Sequence, residues 1–220
     1  MHCRLVLLGP PAAGKGTQAQ LLKDRFGFQA PSVGAMLREQ KAAGTPAGLV
    51  AAEYFERGLL VPDQTTIDVV RQWLAGHEGP WALDGFPRTV GQAEAFDAIL
   101  RDQGVAVDLA ILITVDEAVI RDRVAHRLIC QRCGAAFRIG VHVAAASDPC
   151  PKCGGALGRR ADDTPEALAD RLIEYRSKTE PVNSYYQERG ILHAVDGSRA
   201  VEAVFADLSV ALDKTSAAVS

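Results

Sequence analysis

The start of the chain places an apolar run directly before a glycine-rich loop and a helix-like segment. The run covers residues 3–8, the loop covers residues 9–17 (GPPAAGKGT) and the helical pattern covers residues 18–26. A strand that ends in such a loop and enters a helix directs backbone N–H groups and the positive end of the helix dipole at one point. Lys15 adds a cation for the β- and γ-phosphates, and the Thr17 hydroxyl is a candidate metal ligand. This order predicts a phosphate-binding loop.

The loop departs from its commonest form, in which Ser or Thr follows the lysine directly. Here Gly16 intervenes and Thr17 comes second. The other interpretation is a plain glycine-rich turn between a buried strand and a helix. The flanking strand and helix patterns favour phosphate binding.

Apolar runs recur along the chain, with helix-periodic stretches between them. The runs lie at residues 81–83, 109–115 and 191–195, and the helical stretches include 66–74, 92–100, 119–128 and 168–179. Unbroken apolar strands that alternate with helices are typical of a parallel sheet covered on both faces. We therefore predict an α/β fold built on a doubly wound parallel sheet.

Two segments interrupt this alternation and have the character of insertions. Residues 32–61 hold two short helical stretches without a strand, and residues 126–163 hold paired cysteines and a short alternating stretch suited to a small β element. We divide the chain into a core of residues 1–31, 62–125 and 164–220, a helical insertion of residues 32–61 and a small β insertion of residues 126–163.

Composition excludes several classes of protein. The chain has 220 residues, is 48% hydrophobic and 23% charged, and carries a formal net charge of −3. These values are ordinary for a globular protein, and the net charge provides no overall basic face for nucleic acid or acidic lipid. The first apolar run is too short for a signal-peptide core, and no later run approaches the length of a membrane span. We expect a cytoplasmic protein.

Four of the five cysteines form two Cys-x2-Cys pairs, namely Cys130 with Cys133 and Cys150 with Cys153. In a cytoplasmic chain this spacing favours a metal over disulfides, which remain the alternative. Four thiolates close a tetrahedral site to substrate, so the expected metal is structural zinc, with iron left open. Residues 126–160 are basic, because they contain one acidic residue, Asp148, against six basic residues, Arg127, Arg132, Arg138, Lys152, Arg159 and Arg160. A basic, metal-stiffened flap is suited to close over polyphosphate and exclude water.

A second candidate for phosphate chemistry follows the strand at residues 81–83. Asp84 ends this apolar run, where a carboxylate can hold a metal directly or through water. Taken alone, such an Asp is as often a helix cap or a turn residue. The next residues, Gly85 to Arg88 (GFPR), favour the site, because they supply a close-approach glycine, a rigid turn and a guanidinium beside the same sheet edge.

In these motifs the chain resembles the adenylate kinase family over nearly its full length. The matching elements, in the family's order, are residues 9–18, Met36-Leu37-Arg38, residues 84–89 with Gln92, Asp122-Arg123 with Arg127, Arg160-Ala161-Asp162-Asp163, Arg171 and Val195-Asp196-Gly197. The cysteine pairs resemble the zinc-bearing lid of some bacterial members.

The resemblance implies a P-loop nucleoside monophosphate kinase fold with a helical AMP-binding insertion and a zinc-bearing β lid. It implies reversible transfer of the terminal phosphoryl group of ATP to AMP, giving two ADP, with Mg²⁺ accompanying ATP and structural Zn²⁺ in the lid. The acceptor is a phosphate oxygen that is largely ionised at neutral pH, so no general base is needed. The implied partners are ATP, AMP and ADP, with no nucleic acid and no membrane, and the implied state is a monomer.

The resemblance also assigns roles to individual residues. The catalytic set is Lys15, Asp84, Arg88, Arg123, Arg160 and Arg171. The ATP-binding set is Ala12, Ala13, Gly14, Lys15, Gly16, Thr17, Arg123, Arg127, Ala136, Phe137 and Arg199. The AMP-binding set is Val33, Arg38, Leu59, Leu60, Val61, Gly85, Phe86, Pro87, Arg88, Gln92, Arg160 and Arg171, with Gln92 reading the adenine edge. The metal ligands are Cys130, Cys133, Cys150 and Cys153.

The chain departs from the family pattern at Ala12, where Gly is frequent, at Val33, where Thr is usual, and at Ala35, where many members have Asp. Because Ala12 carries a Cβ, the loop needs a backbone conformation there that tolerates one. Two rival functions remain. One is another nucleoside monophosphate kinase or a GTP-preferring donor site, and the other is a zinc-ribbon nucleic-acid-binding module on an ATPase-like core. Phe137 is the single aromatic residue near the cysteines, which disfavours base stacking by the second rival.

Overall fold

The computed structural model describes residues 3–56, 59–160 and 163–219. The elements occur in the order β1 (Arg4–Leu8), α1 (Lys15–Phe26), α2 (Val33–Ala42), α3 (Pro46–Glu56), α4 (Asp63–Leu74), β2 (Trp81–Asp84), α5 (Val90–Asp102), β3 (Leu109–Thr114), α6 (Glu117–Ala125), β4 (Arg127–Cys130), β5 (Ala136–Arg138), β6 (Leu157–Gly158), α7 (Pro165–Glu174), a π-helical turn (Tyr175–Thr179), α8 (Pro181–Glu188), β7 (Leu192–Asp196) and α9 (Val201–Val219).

Four parallel strands form the central sheet in the order β2-β1-β3-β7. Alternate residues of β1 are buried on opposite faces. Leu5 and Leu7 join an apolar cluster with residues of α1 and α9, whereas Val6 and Leu8 join a second cluster with residues of α4, α5 and α8. Helices therefore cover both faces of the sheet, which explains why its strands are apolar without interruption. The doubly wound α/β core predicted from the sequence is confirmed.

The carboxyl ends of the parallel strands meet at one edge of this sheet. The register pairs Leu7 with Asp84 and Thr114 with Asp196, so the residues that follow β1, β2, β3 and β7 converge there. In open α/β sheets, ligands bind in the crevice at this edge. The glycine-rich loop after β1 and the GFPR segment after β2 both lie at it.

The two interrupting segments carry the expected kinds of element. Within residues 32–56 and 59–61 the structure has α2 and α3, which pack against each other and against α4. The cysteine-bearing segment forms an antiparallel sheet of three strands in the order β5-β4-β6. Its small apolar cluster consists of Leu128, Cys130, Cys150 and Leu157, with Phe137 packed against it.

The helix predicted for residues 119–128 ends early. α6 stops at Ala125, and Arg127–Cys130 is strand β4. Leu128 continues the apolar period of the helix, but it is fully buried in the small cluster of the cysteine segment. Pairing with β5 and β6 therefore overrides the helical pattern.

The long helical pattern at residues 168–179 is also divided. α7 ends at Glu174, and residues Tyr175–Thr179 form a π-helical turn before α8 begins at Pro181. Proline has no N–H to donate to the preceding turn, so a regular helix is not continuous through this position. The N–H of Glu180 instead donates to Tyr175 O at 2.8 Å, the wider spacing of a π turn.

Within the described residues, none of the helices combines the length and the apolar character that a transmembrane segment requires.

Candidate active site

The glycine-rich loop connects β1 to α1 and lies against β3. Gly9 has a φ of 135°, and a Cβ on it would come within 2.4 Å of Ile113 O. Only glycine allows the loop to leave the strand in this direction at this distance. α1 then begins at Lys15, after Gly14 in the left-handed conformation. The first N–H groups of a helix lack partners within it, so this end of α1 is suited to bind an anion.

Lys15 is the central cation of this loop. Its Nζ donates to Gly9 O at 2.7 Å and to Pro10 O at 2.8 Å. Burial lowers the pKa of Lys15 to about 8, and the nearby Asp84 carboxylate opposes that shift. The positive charges of three arginines lower this pKa further, namely Arg88, Arg171 and Arg127. Four cations and one carboxylate therefore act on one another at the carboxyl edge of the sheet.

The position of Asp84 explains the extra glycine after the lysine. A Cβ on Gly16 would lie 3.3 Å from Asp84 Oδ2, which is tighter than ordinary van der Waals contact. Glycine at this position lets the carboxylate at the end of β2 approach the first turn of α1. Thr17 is exposed on the same turn. A carboxylate and a hydroxyl are hard oxygen ligands, so these residues fit a Mg²⁺ that keeps several waters.

Arg88 is held by one residue before it and one residue after it in the chain. Its Nε donates to Gly85 O at 2.8 Å, and its backbone N–H donates to Gln92 Oε1 at 2.8 Å. Gly85 has a φ of 76°, and a Cβ on it would lie 3.0 Å from Arg88 Nη2. The glycine of GFPR therefore supplies both a left-handed turn and the room for the guanidinium.

Arg123 joins the loop after β1 to the segment after β7. Its Nη1 donates to Ala13 O at 3.1 Å, and its Nη2 donates to Gly197 O at 2.6 Å. Gly197 has no room for a side chain, because a Cβ there would lie 2.3 Å from Ile113 Cγ2. The guanidinium therefore braces the glycine-rich loop from the side opposite to Asp84.

A buried carboxylate holds two further arginines close together. Arg127 Nε donates to Asp163 Oδ2 at 2.8 Å, and Arg127 Nη2 donates to Asp163 Oδ1. Arg171 Nη1 lies 3.7 Å from the same Oδ1, and the Asp163 side chain is only 1% exposed. One negative charge thus offsets part of the repulsion between two guanidinium groups.

The four paired cysteines converge in the small antiparallel sheet. Their sulfurs all lie within 4.8 Å of one another, with Cys130 Sγ 3.5 Å from Cys153 Sγ and Cys133 Sγ 3.8 Å from Cys150 Sγ. Sulfurs bound tetrahedrally to zinc at about 2.3 Å are separated by about 3.8 Å, so the arrangement fits this metal. The N–H groups of Cys133 and Arg132 donate to Cys130 Sγ and lower the pKa of that thiol, which favours a thiolate ligand.

A sequence profile of the adenylate kinase family matches residues 7–191. The chain belongs to the adenylate kinase family. It is 43% identical to an adenylate kinase of Geobacillus sp. (strain WCH70) over 206 residues, which cover 93% of this chain and 95% of the relative. Adenylate kinases of Archaeoglobus fulgidus and Methanosarcina acetivorans are 40% and 42% identical, each over 96% of this chain and 98% of the relative. The membership inferred from the motifs is confirmed.

The predicted site residues of this adenylate kinase family member do not all converge. Lys15, Asp84, Arg88, Arg127 and Arg171 lie near one another, whereas Arg123 contacts the loop backbone from the other side. Of the other predicted residues, Arg38 is exposed on α2 beside Gly34, Arg160 is half-buried after β6, Arg199 pairs with Asp207, Ala136 and Phe137 lie on β5, Leu59 is exposed, and Val33 and Val61 are core residues.

Three predicted AMP-binding residues are fixed by contacts within the protein. The Phe86 side chain is 1% exposed and packs edge-on against Phe96, so only its backbone can face a ligand. Pro87 is buried, and the N–H of Leu60 donates to Glu174 Oε1 at 3.3 Å. Ala161 and Asp162 of the matched Arg160–Asp163 motif lie outside the described residues.

Two carboxylates of the site were not assigned a role from the sequence. Asp163 falls within a matched motif, but its two arginine partners are not visible from its neighbours. Asp63 is the first residue of α4 and follows a proline, which is typical of an ordinary helix start. Its partners are 26 and 29 residues away, and no local pattern points to them.

Ala12 adopts the left-handed conformation, which is strained for a residue with a Cβ, whereas the sequence analysis predicted a conformation that tolerates one. Its φ is 59°, and it is the single non-glycine residue with positive φ among residues 3–56, 59–160 and 163–219. We expect Ala12→Gly to raise the free energy of unfolding by about 0.5 kcal/mol, because glycine relieves the left-handed strain while some methyl packing is lost. Urea unfolding measures this difference.

The neighbouring Ala13 is the matched control for this change. It is buried, with 2% exposure, and its φ is not positive. Ala13→Gly should therefore lower the free energy of unfolding by about 1 kcal/mol. A loss of stability in both variants would contradict strain at Ala12.

Proposed function

We propose that this chain transfers the terminal phosphoryl group of ATP to AMP, reversibly, giving two ADP. The observation that carries the proposal is the convergence of Lys15, Arg88, Arg127 and Arg171 with Asp84 beside a phosphate-binding loop. Two polyphosphate anions repel each other, and this cluster supplies positive charge to both. Membership of the adenylate kinase family supports the same reaction.

The donor nucleotide is assigned to the loop after β1. The N–H groups at the start of α1 and the Lys15 ammonium bind the β- and γ-phosphates of ATP, and Arg123 keeps this loop in place. Asp84 and Thr17 would hold Mg²⁺, which would supply electrostatic stabilisation of the phosphate oxygens. Arg127, Ala136, Phe137 and Arg199 belong to the ATP side in this proposal.

The acceptor is assigned to the other side of Asp84. AMP binds between the α2–α3 insertion of residues 32–61 and the GFPR segment, with Arg38 and Arg88 on its phosphate and Gln92 on its base. An ionised oxygen of AMP attacks the γ-phosphorus in line, and the bond from that phosphorus to the bridging oxygen of ADP breaks. Arg88, Arg160 and Arg171 stabilise the charge on the transferred group. No proton has to be removed by a protein side chain.

The segment of residues 126–163 acts as the lid in this proposal, with structural Zn²⁺ on its four cysteines, and the remaining residues form the core. Closure of the basic lid excludes water, which competes with AMP as acceptor. The substrates are the small molecules ATP, AMP and ADP, and nucleic acid and membrane have no part. We further propose a monomer in the cytoplasm.

A coupled assay with purified protein and Mg²⁺ tests the proposal. ATP with AMP should give two ADP for each AMP consumed, and AMP should exceed CMP, UMP and GMP as acceptor, with ATP above GTP as donor. Preference for another monophosphate or for GTP would reassign the base sites. Absence of ADP formation, with salt-dependent binding to nucleic acid in its place, would overturn the proposal.

A further inference from the structure

Asp63 connects α4 to the start of α5 through two hydrogen bonds. Its Oδ1 accepts from Gln92 Nε2 at 2.8 Å, and its Oδ2 accepts from Thr89 Oγ1 at 2.6 Å. Thr89 Oγ1 in turn accepts from Gln92 N at 3.0 Å and caps α5. Both carboxylate oxygens are therefore committed to the residues that follow the GFPR segment.

The Gln92 amide can take only one orientation in these surroundings. Its Oε1 accepts from the N–H of Arg88, its Nε2 donates to Asp63, and the residue is 2% exposed. Rotation of the amide by 180° would set Nε2 against the Arg88 N–H, which are two donors, and Oε1 against Asp63 Oδ1, which are two acceptors. A buried polar group left without a partner is destabilising, so the rotated form is excluded.

One N–H and one lone pair of this fixed amide are not used by these two hydrogen bonds. A primary amide has two donor hydrogens and two acceptor sites, and the protein uses one of each. The Watson–Crick edge of adenine presents a donor at N6 and an acceptor at N1, whereas guanine presents an acceptor at O6 and a donor at N1. An amide of fixed orientation matches one of these patterns and opposes the other.

We propose that Asp63 sets the preference for adenine over guanine at the acceptor site by locking the orientation of the Gln92 amide. This inference rests on the proposed function, in which Gln92 lies on the base of AMP. Asp63 does not touch the nucleotide. It is a positioning residue that acts through Gln92.

Asp63→Asn is the direct test, because asparagine keeps the shape but offers one acceptor and one donor. It no longer opposes the rotated Gln92 amide, which is then disfavoured by the Arg88 N–H alone. The ratio of kcat/KM for AMP to that for GMP should fall about tenfold or more, since a site built around specific hydrogen bonds discriminates strongly only while its polar groups are fixed. The dissociation constants of AMP and GMP, measured by calorimetry, should also become more similar in this variant than in the parent.

Two further variants distinguish a loss of AMP selectivity from a general loss of activity. Asp63→Glu keeps two acceptors and no donor, so it should keep the parent's preference for AMP within about threefold even where total activity falls. Asp68→Asn is the matched control on α4, because Asp68 accepts from the exposed Gln64 side chain and lies outside the site. Its selectivity ratio should equal that of the parent.

A double-variant cycle tests whether Asp63 acts through Gln92. In a Gln92→Leu background, Asp63→Asn should cause no further change in the AMP-to-GMP ratio. If Asp63→Asn fails to fold, as judged by thermal melting, Thr89→Val removes the second anchor of the carboxylate and should lower the ratio in the same direction. A folded Asp63→Asn or Thr89→Val variant with the parent's ratio would overturn the inference. Failure of the proposed function is distinguishable, because the parent itself would then form no ADP from AMP.

Discussion

Replacing Lys15 with alanine is expected to lower kcat for ADP formation by about a thousandfold. In the proposed function the lysine places a positive charge at the loop assigned to the donor phosphates, and loss of one such group from a preorganised site typically has effects of this order. Arg88, Arg127 and Arg171 lie near enough to act on Lys15 but are held in other directions by their own partners. They do not replace the ammonium.

The matched control is Lys23→Ala, because Lys23 is an exposed lysine on the same helix. Its kcat should stay within about twofold of the parent, since an exposed surface cation contributes little. A Lys15→Ala enzyme with activity within tenfold of the parent would show that the donor site has been placed wrongly.

The pKa of Lys15 also predicts how kcat/KM for ATP should depend on pH. Because burial lowers this pKa to about 8, kcat/KM for ATP should be level at neutral pH and fall above about pH 8, as the free enzyme loses the proton. Lys15→Arg keeps its charge at these pH values, so the fall should disappear in that variant even if the overall rate is lower.

The lowered pKa of Lys15 also determines how its charge should affect the free energy of unfolding. The folded chain holds the Lys15 proton less tightly than the unfolded chain, where the ordinary value is 10.5. The charged ammonium therefore opposes folding below about pH 8, and this penalty fades as the pH rises towards 10.5. Lys15→Ala should not lower the free energy of unfolding at neutral pH, so its loss of activity cannot be attributed to unfolding.

The elements that sequence analysis predicted well are those with a local signal. Strong local patterns, each within about ten residues, predicted the loop before Lys15, the GFPR segment and the two cysteine pairs. The apolar runs of β1 and β3 directly predicted buried strands. The structure adds a reason for the inserted glycine of the loop, because Gly16 lies against the Asp84 carboxylate.

The features that escaped prediction depend on partners far away in the chain. Arg123 reaches Gly197, which is 74 positions later, and Arg127 reaches Asp163, 36 positions later. α6 is cut short by pairing with strands that follow it, and the helix after Pro165 is interrupted by Pro181. In each case a tertiary contact or a proline outweighs a local helical period.

Removal of the metal from the cysteine cluster is expected to unfold the small sheet while the core remains folded. The cluster has few apolar residues, so a metal bound to the four sulfurs would take the place of a hydrophobic core. Structural zinc binds such peptides with an apparent free energy of about 10–16 kcal/mol, which is more than this small sheet can supply by packing. We expect elemental analysis to give one zinc for each chain.

Chelation or a Cys150→Ser change should act locally and measurably. Amide hydrogen exchange should accelerate at Cys130 and Gln131, whose N–H groups bond to Ala135 O and Ala156 O, but should stay slow in β1 and β3. Phosphoryl transfer should fall about a hundredfold, and the share of ATP lost to water should rise, because an unfolded lid does not exclude water from the site.

Cys3→Ala is the control for this change, because Cys3 is a buried thiol of the core and not a member of the cluster. It should retain one metal ion and slow exchange at Gln131, even if it lowers the free energy of unfolding slightly. Unchanged exchange and activity in the metal-free parent would mean that the sheet is held by its own packing. The sulfur cluster would then have no structural role. The expected contrast between the two cysteine variants follows from position alone, since only one of the two thiols lies where four sulfurs can share an ion.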